Sequence, residues 1–163
     1  MAQLIKQQQV IGSDNWQVIE DDAAVSDYAI VSLSRWQAER DTLAEKAQAG
    51  VLGLFLKSEE TADLIGDDAS RFALIAIDFP KFTDGRGYTA ARLLRERHGY
   101  QGELRAMGDV LIDQLFSMQR CGFDSFNLRD DQDQEEALKA FSTFTSCYQT
   151  DAREPRPLFR RRA

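Results

Sequence analysis

The sequence predicts an α/β fold with a mostly parallel sheet of about five βα units, preceded by an N-terminal β-hairpin. Two observations favour this fold. Short apolar runs of strand length alternate with stretches of helical periodicity, and a chain of 163 residues can form one domain with a substantial core. An open sheet and a partial (β/α) barrel would give the same pattern. We expect a single α/β domain over residues 1–150 and an arginine-rich, mobile tail over residues 151–163.

The N-terminal residues 1–27 are predicted to form the hairpin and a connector. Residues 4–11 and 16–20 have strand-like composition, and Gly, Ser, Asp and Asn at 12–15 are typical of a turn. The first βα unit should follow, with a strand at residues 28–33 and a helix from Ser34 to about Gly50.

Four further strands are predicted at residues 51–56, 73–77, 102–108 and 123–128. Each is followed by a helical pattern. The predicted helices begin at Ser58, at Thr89, at Asp109 as a capping residue, and at residue 132, with the last reaching residue 149.

The loop at residues 79–87 follows the apolar strand at residues 73–77 and is the longest of the predicted strand-to-helix loops. Right-handed crossovers bring such loops to one edge of a parallel sheet, which is where α/β proteins bind ligands. Asp84, Gly85 and Gly87 are turn-forming residues. This loop is therefore the first candidate site.

Composition excludes several classes of function. A net charge of −7 argues against general binding to nucleic acid or to an anionic membrane. Two cysteines and one histidine are too few for a zinc site or an iron–sulfur cluster, so no metal is expected. No dinucleotide-binding or phosphate-binding glycine motif is present, and no cofactor is predicted. The sequence also lacks a transmembrane stretch and a signal peptide, which predicts a cytoplasmic protein.

Four cations, Lys57, Lys81, Arg86 and Arg129, come just after predicted strands and could converge at the carboxyl edge of the sheet. Guanidinium groups near helix N-termini bind oxyanions, so Lys81, Asp84, Arg86 and Arg129 are candidates for an anion-binding site. The alternative is that these cations are solvated and paired with Asp84, Asp109 and Asp130.

Arg105 lies inside a strand that is suited to burial. A buried arginine needs a carboxylate or a ligand, and Asp78 at the end of the neighbouring strand could supply the carboxylate. An ion pair and a contact with a bound anion remain equally open. Asp84 and Asp109 are the weak candidates for a catalytic acid or base.

Several segments resemble a bacterial family classed as a domain of unknown function. They are FPKFTDGRGY at residues 79–88, ARLLR at 91–95, GELRAMGDV at 102–110 with Asp113 and Gln114, and RCGFD at 120–124. The resemblance covers residues 28–148 and leaves the arginine-rich tail outside. Members are typically encoded beside the assimilatory sulfite reductase haemoprotein, and some carry the label of oxidoreductase for that reason. The resemblance implies a role in sulfur assimilation but supplies no catalytic residues.

Three functions are therefore open. The leading hypothesis is an accessory protein of sulfite reduction that binds the sulfite reductase haemoprotein or a small oxyanion. The second is a small enzyme that acts on an oxyanion or a sulfur-containing substrate, with Lys81, Arg86 and Arg105 holding the anion. The third is a homo-oligomeric scaffold with Phe79, Phe82 and Tyr88 as exposed contact residues.

Overall fold

The computed structural model describes residues 3–144 and 146–161. Within them, eight strands form one sheet: β1 (Gln3–Lys6), β2 (Gln9–Ile11), β3 (Gln17–Val18), β4 (Ala29–Ser32), β5 (Leu52–Leu56), β6 (Leu74–Phe79), β7 (Glu103–Gly108) and β8 (Ser125–Leu128). The helices are α1 (Leu33–Gln48), α2 (Arg86–Glu96), α3 (Leu115–Arg120), α4 (Gln134–Ala140) and α5 (Leu158–Arg161). Short 3-10 helices lie at Ala62–Leu64, Gly66–Arg71 and Ile112–Gln114.

The sheet is mixed, with the strand order β2-β1-β8-β7-β6-β5-β4-β3. Strands β3 to β8 are parallel and follow one another in chain order. Strand β1 is antiparallel to both β2 and β8. The α/β class is thus confirmed, but the prediction of a mostly parallel sheet of five units holds only in part. Right-handed crossovers between sequential neighbours place the helices on one face of the sheet, as in half of a (β/α) barrel.

The sheet must curl to satisfy its own connections. Strands β2 and β3 lie at opposite edges, yet only residues 12–16 join them. That segment can span about 20 Å, whereas the outer strands of a flat sheet of this size would lie roughly 34 Å apart. The sheet therefore forms an open half-barrel whose concave face is crossed by residues 12–16.

Strand β6 is buried on both faces, as its apolar sequence predicts. On the helix-covered face, Ile75, Ile77 and Phe79 join the main core. On the concave face, Leu74 and Ala76 form a smaller cluster, against which Trp16 of the crossing segment packs. The central strand is thus enclosed by the helices and by the N-terminal chain.

The N-terminal hairpin is present, but the prediction of its turn at residues 12–15 is wrong. The turn lies at Gln7 and Gln8, which both have positive φ angles of 49° and 62°. Strand β3 does not pair with the hairpin but with β4 at the far edge. Residues 12–15 belong instead to the segment that connects β2 at one edge of the sheet with β3 at the other.

Some helix boundaries also differ from the expectation. Ser32, not Ser34, caps α1 by accepting a hydrogen bond from the N–H of Arg35. The helix predicted after Ser58 consists of 3-10 turns, and α4 ends at Ala140 instead of reaching residue 149. Asp109 caps no helix, because its carboxylate binds elsewhere.

The described part of the arginine-rich segment, residues 151–161, contacts the rest of the domain. The carboxylate of Asp151 accepts a hydrogen bond from Arg120 Nε at 3.0 Å, and the N–H of Ala152 donates to the carbonyl of Arg120 at 3.0 Å. In the described ranges, no helix combines the length and the apolar character needed to cross a membrane.

Candidate functional site

The predicted loop leaves the central strand β6 at the carboxyl edge of the sheet, but it is shorter than predicted and covers residues 80–85, because α2 already begins at Arg86. Phe79, the last residue of β6, is fully buried and packs edge-on against Tyr88. Gly87 has an ordinary negative φ, and its importance is steric: a Cβ at this position would lie 2.6 Å from Cζ of Phe79. Glycine is therefore needed at position 87 because α2 lies close to the Phe79 ring, and not because the chain turns there.

Phe82 is the exposed tip of this loop. Its side chain is 55% exposed, yet its main chain is held on both sides. The N–H of Phe82 donates to Oδ2 of Asp109 at 2.8 Å, and its carbonyl accepts a hydrogen bond from Nε2 of Gln114 at 2.7 Å. An aromatic ring is thus presented to solvent from a fixed backbone position.

Asp109 and Arg129 connect this loop to the end of β8. Nη1 of Arg129 donates to Oδ1 of Asp109 at 2.6 Å, while its Nε and Nη2 donate to Asp131 at 2.6 and 2.7 Å. The bond from Arg129 and the N–H of Phe82 lower the pKa of Asp109, and Arg129 lowers the pKa of Asp131 to about 2. The Arg129 guanidinium is therefore shared between two internal carboxylates.

Arg86 and Asp84 form a similar unit at the start of α2. Nε and Nη2 of Arg86 donate to the two oxygens of Asp84 at 3.0 and 2.7 Å, and the N–H of Arg86 donates to Oδ1 at 3.1 Å. Nη2 of Arg86 also donates to the hydroxyl of Ser58 at 2.9 Å. The Arg86 guanidinium holds the pKa of Asp84 well below its usual range. Asp84 thus occupies the helix N-terminus where an external anion was expected.

The predicted cations are distributed among different environments. Arg86 is paired with Asp84, and Arg129 is paired with Asp109 and Asp131. The side chain of Lys81 is exposed on the loop and forms no ion pair within the described residues. A groove of about 220 Å³ lies beside Arg86, between residues 58–62 and α2, and is walled in part by Leu93.

Arg105 does not join this edge. It is only 3% exposed and lies on the concave face of β7, where its guanidinium contacts two carboxylates. Nε and Nη2 donate to Oε1 of Glu103 at 3.0 and 2.7 Å, and Nη1 donates to Oδ2 of Asp14 at 2.5 Å. Lys6 extends the network with a bond of 2.5 Å to Glu103. The partners of Arg105 are therefore Glu103 and Asp14, and the prediction of Asp78 as its partner is wrong.

Asp78 lies instead in an acidic environment that its sequence position did not indicate. It lies at the carboxyl end of β6 on the concave face, and burial together with the charges of Glu59 and Asp84 raises its pKa. Its carboxylate forms no hydrogen bond in the described part of the chain. The signal available in the sequence was its position as the only charged residue of an otherwise apolar strand.

The carboxyl edge as a whole is acidic. The loops at residues 57–61, 79–87, 108–114 and 129–133 contain four cations and eight carboxylates. No three His, Cys, Asp or Glu side chains among the described residues are grouped so that they could hold a metal ion. The arrangement thus combines an exposed aromatic ring, internally paired cations and surplus negative charge.

Of the proposed oligomer contact residues, only Phe82 is well exposed. Phe79 is fully buried, and Tyr88 is half-buried against it. Because the ring of Phe79 fills the space beneath α2, it cannot serve as an exposed anchor. The expectation of three exposed aromatic contacts is therefore corrected to one.

Comparison with known proteins gives one family. Residues 53–159 match a family described as "Bacterial protein of unknown function (DUF934)". The match extends into the arginine-rich segment, which the resemblance had left outside, and begins later than residue 28. No curated protein matches the sequence. Since the matched region covers more than half of the chain, this protein belongs to the DUF934 family of bacterial proteins of unknown function.

Proposed function

We propose that this protein is a non-catalytic, cytoplasmic accessory protein that docks onto a partner protein through Phe82. The observation that carries this proposal is the exposed ring of Phe82 on a main chain that Asp109 and Gln114 hold in place. Aromatic residues are frequent energetic centres of protein interfaces. A fixed backbone also lowers the entropy that is lost on binding.

The electrostatics of the edge indicate the kind of partner. Eight carboxylates against four cations in the surrounding loops favour a basic surface. We infer a partner that offers an apolar pocket for Phe82, surrounded by lysine and arginine side chains. The resemblance noted in the sequence suggests the sulfite reductase haemoprotein as this partner, which would make the protein an accessory of assimilatory sulfite reduction.

Two features make a catalytic role less favourable. Asp84 and Asp109 have lowered pKa values because arginines bind them, and a carboxylate of low pKa is a poor proton acceptor at neutral pH. Arg86 and Arg129 are already engaged by these carboxylates. An oxyanion substrate would therefore meet guanidinium groups whose charge is already balanced by internal carboxylates.

The test is a calorimetric titration of the full chain with purified sulfite reductase haemoprotein from the same bacterium. We expect a complex at micromolar concentrations and expect Phe82→Ala to weaken it about tenfold or more. Phe159→Ala is the matched control, because Phe159 is also well exposed, at 67%, but lies in α5.

Two results would count against the proposal. Absence of a complex at micromolar concentrations would reject this partner, and a complex that is equally weakened by both substitutions would reject Phe82 as the centre of the interface. A parallel titration with sulfite and sulfate tests the alternative of anion binding. Saturable binding that Arg86→Ala or Lys81→Ala removes would instead favour an enzyme that acts on an oxyanion.

A further inference from the structure

A second polar cavity lies at the opposite, amino edge of the sheet. Its volume is about 490 Å³, which is within the usual range for small-molecule sites. It is formed by the turn of the β1–β2 hairpin, by the loops that precede β7 and β8, and by residues 152–153 of the arginine-rich segment. This cavity is separate from the carboxyl edge and from Phe82.

Gln119 is the feature that marks this cavity as a candidate site. It lies near the end of α3, is only 7% exposed, and lines the cavity. Within the described residues its side-chain amide forms no hydrogen bond. The donor and the acceptor of this amide are therefore available to a ligand in the cavity.

The two arginines that line the cavity differ in the number of hydrogen bonds that their guanidinium groups already form. Arg95 donates to the carbonyls of Tyr100, Gly102 and Gly122 and to Asp124, so it serves mainly to join the surrounding loops. Arg153, by contrast, is exposed, and the described chain offers its guanidinium no partner. Its positive charge is therefore available to a bound anion.

The remaining lining groups are polar and mostly neutral. Gln7, Gln8 and Gln101 contribute amides, and Asp124 contributes a carboxylate that accepts bonds from Arg95 and from the N–H of Leu104. A ligand here meets one available cation, several amide donors and acceptors, and one carboxylate. That pattern fits a carboxylate that also carries a hydrogen-bond donor on the adjacent carbon.

We propose that the cavity at the amino edge binds a small α-hydroxy or α-amino carboxylate. Its carboxylate pairs with Arg153, and its hydroxyl or ammonium group donates to the amide oxygen of Gln119 or to Asp124. The arginine-rich segment then supplies the cationic wall of a binding site. This role is independent of the Phe82 surface.

The test is NMR titration of the ¹⁵N-labelled full chain, in which the side-chain amide signals of Gln119 are followed. The probes are sodium L-lactate and L-glutamine, and the control ligand is propionate, which has a carboxylate but no α donor. We expect saturable shifts with lactate or glutamine and weaker binding of propionate. Arg153→Gln and Gln119→Met should each weaken binding about tenfold or more.

Arg156→Gln is the matched control variant, since Arg156 belongs to the same segment but is paired with Glu154 and does not line the cavity. It should leave the affinity unchanged. The proposal is overturned if neither probe moves the Gln119 signals through the millimolar range, which would mean that water alone fills the cavity. It is equally overturned if Arg153→Gln binds as tightly as the parent chain, a result that does not depend on how Gln119→Met folds.

Discussion

Asp109 accepts a hydrogen bond from the main-chain N–H of Phe82 at 2.8 Å, across 27 positions of sequence. This contact ties the loop after the central strand β6 to the loop after its neighbour β7. It also sets the position from which the Phe82 ring projects.

Removal of the Asp109 carboxylate should free the loop without unfolding the domain. In Asp109→Ala, the N–H of Phe82 loses its acceptor, so its amide hydrogen should exchange with solvent at least several-fold faster. Partner binding should weaken in parallel, because the loop must then be ordered on binding. Asp131→Ala is the control, since Asp131 also binds Arg129 but does not contact Phe82. Equal exchange rates at Phe82 in both variants would contradict this account of the loop.

The two glycines at the start of α2 should respond differently to alanine. In Gly87→Ala, the new Cβ would lie 2.6 Å from the Phe79 ring, whereas at Gly85 nothing lies within 4 Å of the added atom. Overpacking of a core typically costs about 1–3 kcal/mol, so urea unfolding should show a loss of that order for Gly87→Ala. Gly85→Ala should be close to neutral. A neutral Gly87→Ala would mean that the Phe79 ring can shift easily.

Arg105 should behave as a structural residue. Its replacement by alanine leaves Glu103 and Asp14 without their shared cation, and breaking a buried ion pair in this way costs about 3 kcal/mol or more. Arg105→Lys should also be destabilising, because an ammonium group cannot reproduce the forked contacts with both carboxylates. Denaturant unfolding of these variants, combined with Asp14→Asn in a double-mutant cycle, measures the coupling. Full stability in Arg105→Lys with loss of ligand binding would instead assign Arg105 to a binding site.

Asp78 should make stability depend on pH in a defined direction. Because its folded-state pKa is raised, the folded protein binds the Asp78 proton more tightly than the unfolded chain does. Ionised Asp78 therefore lowers stability above the folded pKa, and this effect is absent below the ordinary carboxyl value of about 3.9. Asp78→Asn should raise the Tm by a few degrees at neutral pH and lose that gain near pH 3.

The control for this prediction is Asp22→Asn, which replaces an exposed carboxylate in a turn outside the strands. Its Tm should stay close to that of the parent chain at neutral pH, because the exposed side chain of Asp22 packs against little of the domain. A gain in Asp78→Asn that persists unchanged in acid would show that the asparagine stabilises by packing or hydrogen bonding, and not by removing a charge.

Local sequence patterns identified most of the elements correctly. The apolar runs around β5, β6, β7 and β8 and the helical period of α2 are visible because each reflects contacts repeated every two or three to four residues. The position of the loop at residues 79–87 followed from the order of strand, helix and strand. The burial of Arg105 could also be inferred, since it interrupts an apolar strand.

The pairings that define the site depend on contacts between distant residues. Arg105 and Asp14 are 91 positions apart, and β1 pairs with β8 across the whole domain. Local periodicity contains no information about such pairs, so the mixed sheet and the pairing of Arg105 with Asp14 could not be specified in advance. The lack of a hydrogen-bond partner for the Gln119 amide could not be predicted either, because no local sequence pattern indicates which side chains remain unpaired.

The sequence by itself thus determined the α/β class, the buried central strand and the loop that leaves it, because these follow from the spacing of apolar and turn-forming residues. Only the tertiary structure decided that the sheet curls into a half-barrel and that Asp14 meets Arg105 on its concave face. The physical reason is that strand closure and ion pairing depend on which distant segments meet in space, and the curl of the sheet determines those meetings.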